Sequence, residues 1–359
     1  MASAHPLLID THNDWPWRCR DLAGHDWDVL DDSATQTSVP RLRAGGVGAQ
    51  FWSVFVEGTL AEHEAVTATL EQIDAVYRLI ARHDDLEVAR TADDVERIHA
   101  AGRIASLMGA EGGHSIASSL AVLRMLHALG VGYMTLTHNE HVPWADCAAQ
   151  PERLGGLSEF GREVVAEMNR LGMLVDLAHT SVGTMRDALD ASRAPVIFTH
   201  SGARSLADHP RNVPDDVLTA MAAAGGVCCA TFVPQFCSAD FAAWDNRARE
   251  LAVAAGVSPD DFAGTDAFID GVEGRPVVTV EHVADHVERL RDVAGVDHVG
   301  IGGDYDGTTA LPEGLEDVST YPRLLEVLSG RGWSTEELAK LAGGNVLRVM
   351  RAAEDVAQE

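Results

Sequence analysis

The sequence predicts an α/β protein, a (β/α)8 barrel of the TIM type. Three observations point to it. Eight short runs rich in Val, Ile and Leu recur along the 359 residues, and stretches of amphipathic helical spacing separate them. The runs are apolar throughout instead of alternating, as parallel strands buried on both faces require. The length suits one barrel, which takes about 250 residues plus insertions.

Taken in order, the first run covers residues 7–10 and the second 48–56, with a helix over 60–82 behind it. The third, 104–108, is followed by a helix over 116–129. The fourth, 133–137, leads to a helix over 158–171 whose start carries Ser158 as a cap before Glu159. Helices over 181–191 and 214–224 follow the fifth run, 174–177, and the sixth, 194–199. The seventh and eighth are 227–232 and 298–302. Between these two, residues 234–279 break the rhythm with Gly, Pro and Asp around a helix near 241–255. This is an insertion after strand seven, at the end of the barrel where active sites sit. C-terminal helices near 321–328 and 335–355 close the chain, the second begun by Ser334 or Thr335 ahead of Glu336 and Glu337. No repeat or linker interrupts the pattern, so residues 1–359 read as one barrel domain.

Composition removes several functions. The formal net charge of −28 argues against a nucleic-acid partner, since phosphate backbones need a basic face. No stretch nears the roughly 18 apolar residues of a membrane span. Residues 1–8 lack a signal-peptide pattern, and residues 352–359 lack a lipid-anchor pattern. The expectation is a soluble, cytoplasmic protein with no membrane partner. Five scattered cysteines with no CxxC pair read as reduced thiols and not as zinc ligands. The single lysine, Lys340, lies in a surface-helix pattern, which disfavours Schiff-base chemistry, a P-loop and a carbamylated bridging lysine.

The chemistry sits at the strand ends. His12 and Asp14 follow the first strand, Glu111 the third, His138 the fourth, His179 the fifth, His200 the sixth and Asp304 the eighth. A β/α barrel builds its site from the carboxyl ends of its strands. In the His-x-Asp pair, period-two alternation puts both side chains on one face. Imidazole and carboxylate suit zinc. The assignment is His12, Asp14 and Glu111 on one Zn²⁺ and Glu111, His179 and His200 on a second, with Glu111 and a hydroxide bridging them. Charge supports it: two ions supply +4, while Asp14, Glu111, Asp304 and hydroxide supply −4. Taken alone, each residue is as well explained by fold: a strand-end histidine by local packing, and Asp304 by turn chemistry in its Gly-rich segment. Of the 16 histidines, His5, His25, His63, His83, His99, His127, His209, His282, His286 and His298 receive no role.

The surrounding segments resemble a known family. They include IDTHNDWPW (9–17), RLRAGGVGAQFWSVFV (41–56), EGGHSI (111–116), TLTHN (135–139) and PWAD (143–146). Further along stand DLAHTS (176–181), FTHSGAR (198–204), RNVPDD (211–216), GIGGDYDG (300–307) and GGNVLRV (343–349). Together they resemble the membrane (renal) dipeptidase branch of the amidohydrolase superfamily across nearly the whole chain. The resemblance implies a binuclear zinc dipeptidase that tolerates a D-amino acid at the C-terminal position of its dipeptide substrate. It further implies that Arg211 pairs with the substrate carboxylate, His138 lies beside the scissile carbonyl without binding metal, and Trp17 lines the pocket. In the mechanism expected, Asp304 carries a proton to the leaving amine and His138 donates a hydrogen bond to the oxyanion. His114 and His141 lie near the motifs without touching the ions.

Two departures stand out. The renal enzyme is secreted and lipid-anchored, and the expectation for this chain is neither. Where the family carries an aromatic hydroxyl after strand seven, this chain reads Thr231-Phe232-Val233-Pro234. The rival readings are a deaminase or a cyclic-amide or lactone hydrolase of the same superfamily, and a non-catalytic metal-binding barrel. A homodimer is compatible with such barrels, though no stripe marks an interface.

Overall fold

The computed structural model describes residues 7–258 and 262–358. Residues 1–6, 359 and the 259–261 portion of the expected insertion lie outside the described residues. Nine strands occur among those described: β1 (Leu8–Asn13), β2 (Val47–Ser53), β3 (Leu86–Val88), β4 (Ile104–Glu111), β5 (Val131–Thr135), β6 (Leu174–Asp176), β7 (Ile197–Ser201), β8 (Val227–Ala230) and β9 (Val299–Ile301). They run in the order β2-β1-β9-β8-β7-β6-β5-β4-β3, and β2 also pairs with β4. Eight strands thereby close into a parallel barrel, and helices surround it. The eight predicted runs all fall on barrel strands.

The ninth strand was not expected. β3 pairs only with the first half of β4, through Leu86 and Ile104, outside the closure. At three residues, with Asp84, Asp85 and Arg90 around it, it offers no apolar run to read.

β1, β2 and β4 are buried along their whole lengths. Their faces go to different places. Ile9, Ala49, Phe51, Ala105, Leu107, Leu174, Ile197, Val227 and Cys229 form one apolar cluster, which continues into Val346, Leu347 and Met350 of the helix Asn345–Gln358. These strand residues lie toward the amino ends, so that end of the barrel is plugged. Each buried aliphatic side chain contributes about 1.5–3 kcal/mol. The opposite face, including Val47, Ile104, Val131, Val175, Phe198, Cys228 and Val299, packs with the outer helices.

Higher in the barrel the Tyr133 ring occupies the space over Gly109. A Cβ at position 109 would lie 1.9 Å from that ring, so only glycine lets the tyrosine enter.

The helices follow their sequence signals. Glu62–Arg82 buries Ala65, Thr69, Gln72, Val76 and Leu79 at helical spacing. Ser158 caps Glu159–Leu171 by accepting from Gly161 N, and Ser181 caps Val182–Ala191 by accepting from Thr184 N. The expected insertion contains the short turn Pro234–Cys237 and the helices Ala239–Ala254 and Phe262–Ile269. The last expected helix is interrupted: Thr335–Ala339 and Asn345–Gln358 flank a wide turn over Lys340–Gly344. A Cβ on Gly343 there would meet Leu7 O at 2.6 Å. Among the described residues no helix is long and apolar enough to cross a membrane.

Candidate metal centre

β1 is irregular between Asp10 and Asn13, and its last residues enter the site. Asp10 is fully buried and accepts from the backbone N–H of His12 at 3.3 Å and of Gly303 at 2.9 Å, with Gln50 Nε2 at 2.8 Å. It thus ties the ends of β1 and β9 together. Asp14 departs from the expected strand geometry. It stands immediately before the helix Trp15–Ala23 with φ −99° and ψ 19°, having left the strand, and its side chain makes no capping hydrogen bond. It still meets His12, Oδ2 to Nε2 at 3.3 Å, through this turn and not through period-two alternation.

Glu111, the last residue of β4, is the hub. Its Oε1 lies 3.1 Å from His179 Nε2, 3.4 Å from His12 Nε2, 3.5 Å from His200 Nε2 and 3.9 Å from His138 Nε2. Ser53 donates to the other oxygen at 3.1 Å. His179 and His200 oppose their Nε2 atoms at 3.0 Å, and the rings of His12 and His200 stack with centroids 3.9 Å apart. Asp304 Oδ1 stands 3.9 Å from His12 Nε2. The structure therefore brings His12, Asp14, Glu111, His138, His179, His200 and Asp304 into one cluster. The groups whose ligand atoms lie within 4.8 Å of one another are His12–Glu111–His200, Glu111–His138–His179 and His12–Asp14–Asp304. The expected division into two ligand sets is not drawn by these distances.

His179 and Asp304 both have positive φ, 63° and 61°. Such strain in non-glycine residues costs on the order of 1–3 kcal/mol and persists where the surroundings fix it. Gly307 is part of that surrounding. A Cβ there would lie 2.4 Å from Asp14 Oδ2 and 2.5 Å from Asp304 Oδ1.

In three of the four imidazoles, the nitrogen turned away from the hub has a partner. His12 Nδ1 meets Tyr133 OH at 2.8 Å, His179 Nδ1 meets Asn139 Oδ1 at 3.0 Å, and His200 Nδ1 meets Thr199 Oγ1 at 2.9 Å. Such outer contacts orient the imidazoles of metal ligands. Burial pushes His179 and His200 well below the usual histidine range and His138 down to about 4, so all three are neutral and hold lone pairs. For Glu111 burial opposes ionisation, but His12 and the other imidazoles outweigh it and hold the carboxyl well below its usual range. Burial, with Asp14 and Glu111 adding to it, pushes Asp304 up to about 8. Among the described residues His12 Nε2 and Asp14 Oδ1 are buried without a hydrogen-bond partner. Buried polar atoms that lack partners, facing an ionised carboxylate and neutral imidazoles, fit metal ions.

Arg211 lies against this cluster. It is buried, donates from Nη2 to His200 O at 3.2 Å, and has no partner for Nε or Nη1 among the described residues. Its guanidinium sits over the Phe236 ring, 5.1 Å from the centroid. Trp17 is half-buried and stacks edge-on with Phe55 at 6.0 Å, and Phe55 touches His138 at 4.7 Å.

In the segment after β8, Phe232 is fully buried against Tyr305 and Tyr321 and turns away from the site. Phe236, four residues on, supplies the aromatic face. His114 donates from Nε2 to Val56 O, and His141 Nε2 to Pro151 O, each a local tie. Sequence reasoning missed Asp10, Tyr133, Asn139, Asp176, Thr199, Phe55 and Phe236. A carboxylate inside an apolar run was the signal for Asp10 and Asp176.

Comparison with known proteins gives one direction. The model of the membrane dipeptidase family, peptidase family M19, matches residues 2–359. Dipeptidase 3 of Rattus norvegicus is 40% identical over 360 residues, covering 98% of this chain. The chain spans 66% of that relative's length. A probable dipeptidase from Pseudomonas aeruginosa superposes with a TM-score of 0.87 at 21% identity, over 98% of this chain and 96% of that one. A metallopeptidase from Rhodobacter sphaeroides, solved with a phosphinate mimic of the dipeptide L-Ala-D-Ala, gives 0.81 at 23% identity, over 97% and 100%.

Proposed function

Because this chain belongs to the membrane dipeptidase family, we propose that it is a dipeptidase carrying two zinc ions and accepting a D-amino acid at the C-terminal position of its substrate. The observation that carries the metal reading is the Glu111 oxygen met by four imidazole nitrogens between 3.1 and 3.9 Å. His12 and Asp14 would hold one ion, His179 and His200 the other, with Glu111 between them. When bound, such ions polarise a carbonyl and acidify a water molecule.

The remaining residues divide the work on the peptide. Arg211 binds the free C-terminal carboxylate of the dipeptide through its two unpartnered nitrogens, a fork shaped for a carboxylate. His138, neutral at pH 7, donates a hydrogen bond to the carbonyl oxygen as it gains charge. Asp304, which bound cations would bring back down from about 8 and so ionise, would take the proton of the attacking water and pass it to the leaving amine. Trp17 and Phe55 wall the side that faces His138. The dipeptide mimic bound by the Rhodobacter sphaeroides relative supports acceptance of a D-residue.

The test is amino-acid release from matched L-L and L-D dipeptides by zinc-loaded protein, with metal-stripped protein as control. Zinc-dependent release that extends to the L-D substrates supports the reading. No release from loaded protein shifts it to another amide or to a lactone.

A further inference from the structure

Asp176 ends β6 with a fully buried carboxylate between β5 and β7. Four donors meet its two oxygens. Oδ1 accepts the backbone N–H of Ala178 at 3.1 Å and of Thr199 at 2.9 Å. Oδ2 accepts the hydroxyls of Thr135 at 2.5 Å and Thr199 at 2.7 Å. With a donor at every lone-pair position, this group acts as an acceptor only. The single hydroxyl proton of Thr199 is therefore committed to Asp176.

Thr199 then has only lone pairs for its other neighbour, His200 Nδ1 at 2.9 Å. His200 must donate there. Its proton lies on Nδ1 and its Nε2 is bare, and Nε2 is the atom facing Glu111 at 3.5 Å and His179 at 3.0 Å. A metal ligand needs that tautomer. The same carboxylate grips the peptides just before His179 and just before His200, so both strand ends answer to one group. His179 holds a left-handed backbone at φ 63°, which its neighbours must fix.

We infer that Asp176 is a positioning residue for the metal centre: acting through Thr199, it sets the tautomer of His200 and registers the His179 and His200 strand ends. The inference rests on the reading of His200 as a metal ligand. It concerns groups that do not touch the substrate.

The hydrogen-bond chain can be reversed. In Asp176→Asn the amide oxygen keeps the two backbone N–H groups and the amide nitrogen faces Thr199 as a donor. Thr199 then accepts there and turns its hydroxyl toward His200 Nδ1, which moves the imidazole proton to Nε2. Thr199→Val breaks the chain without imposing the wrong tautomer, and Thr199→Ser preserves it.

The experiment measures zinc affinity of metal-stripped protein by competition with a chromophoric chelator, with the melting temperature of each metal-free variant beside it. Loss of one ion's affinity by about 10–100-fold is expected for Asp176→Asn. Thr199→Val weakens it less, Thr199→Ser binds near wild type, and adding Thr199→Val to Asp176→Asn recovers part of the loss. The inference is overturned if both single variants load zinc as tightly as wild type, or if the double variant is weaker than Asp176→Asn. Should Asp176→Asn fail to fold, equal affinities for the Val and Ser variants overturn it. Wild-type protein that binds no zinc refutes the metal reading itself, a result separate from wild type and variants binding alike.

Discussion

His179 and His200 oppose their Nε2 atoms across 3.0 Å, and both rings are engaged on the far side, through Asn139 and Thr199. Burial holds both imidazoles neutral. Two bare nitrogens facing each other in a buried site repel unless a cation draws on both. Metal-stripped protein is therefore expected to melt at lower temperature than zinc-loaded protein. At free zinc about 1,000 times its dissociation constant the gain is about 4 kcal/mol per site. In a chain of this size that is a rise of several degrees, readable by calorimetry with and without chelator. Identical melting temperatures would remove the cation from this site.

Arg211 makes the second test, because its two roles pull apart. In the free protein it is a buried cation, pushed by that burial down to about 10 yet still charged at neutral pH, with two nitrogens unpartnered among the described residues. Replacing it by a neutral side chain removes a desolvation cost. Arg211→Met is expected to leave the melting temperature unchanged or raised. Toward a dipeptide with a free carboxylate, kcat/KM should fall by about 2–5 kcal/mol of transition-state stabilisation. The C-amidated dipeptide, poor with wild type, should lose little more. A variant that destabilises the fold while keeping kcat/KM would assign Arg211 to structure.

How much of this was legible in the sequence depended on which contacts lie along the chain. Glu111 and His200 could be placed because each ends a run of apolar residues, and in a parallel barrel that end is the site. Tyr133 could not: within its run it reads as one more core residue, and its role comes from Gly109 on the neighbouring strand and from His12 across the barrel. Asp176 was visible only as a letter in a motif. Its four donors come from β5, β7 and the turn after β6, whose register no single-strand periodicity reports. Phe236 was not legible either, because it is the short helical turn at Pro234–Cys237 that carries its ring to Arg211. Asp14 does come beside His12, but not by strand alternation, since the chain has left the strand when it reaches that residue.

Asp304 tests proton transfer against metal binding. Its Oδ1 is 3.9 Å from His12 Nε2, close enough to serve the reacting groups and also to join His12 and Asp14 around an ion. Asp304→Asn keeps the shape and removes the ability to accept and return a proton. The expected result is a fall in kcat of about 10²–10⁴ with zinc content unchanged. Elemental analysis beside the kinetics decides it. Loss of one zinc per chain would make Asp304 a ligand and move proton transfer elsewhere.

The last prediction concerns pH and a histidine outside the centre. His286, on the helix Val280–Ala294, is buried and accepts from Ala203 N on Nδ1 at 3.0 Å. Its Nε2 donates to Cys237 O at 3.2 Å, so the ring ties the exit of β7 to the turn that carries Phe236. The bond from Ala203 N needs a bare Nδ1 and so the neutral ring, whereas Nε2 can donate in either form; burial pushes the pKa down from 6.5 to about 4, against the opposing pull of Cys237 O and Asp285. The unfolded chain takes up a proton near 6.5 that the folded chain refuses until about 4. The stability from this group is thus fully present above 6.5 and is lost as pH falls from there to 4. A displacement of that size corresponds to about 3 kcal/mol. His286→Asn cannot titrate and keeps only the bond to Ala203. Wild type should exceed it in urea stability at pH 8 and lose that advantage by pH 4.5. Comparing the two in metal-stripped form cancels the titration of the other histidines. An advantage that stays constant across this range would mean that the ring titrates alike in the folded and unfolded chains.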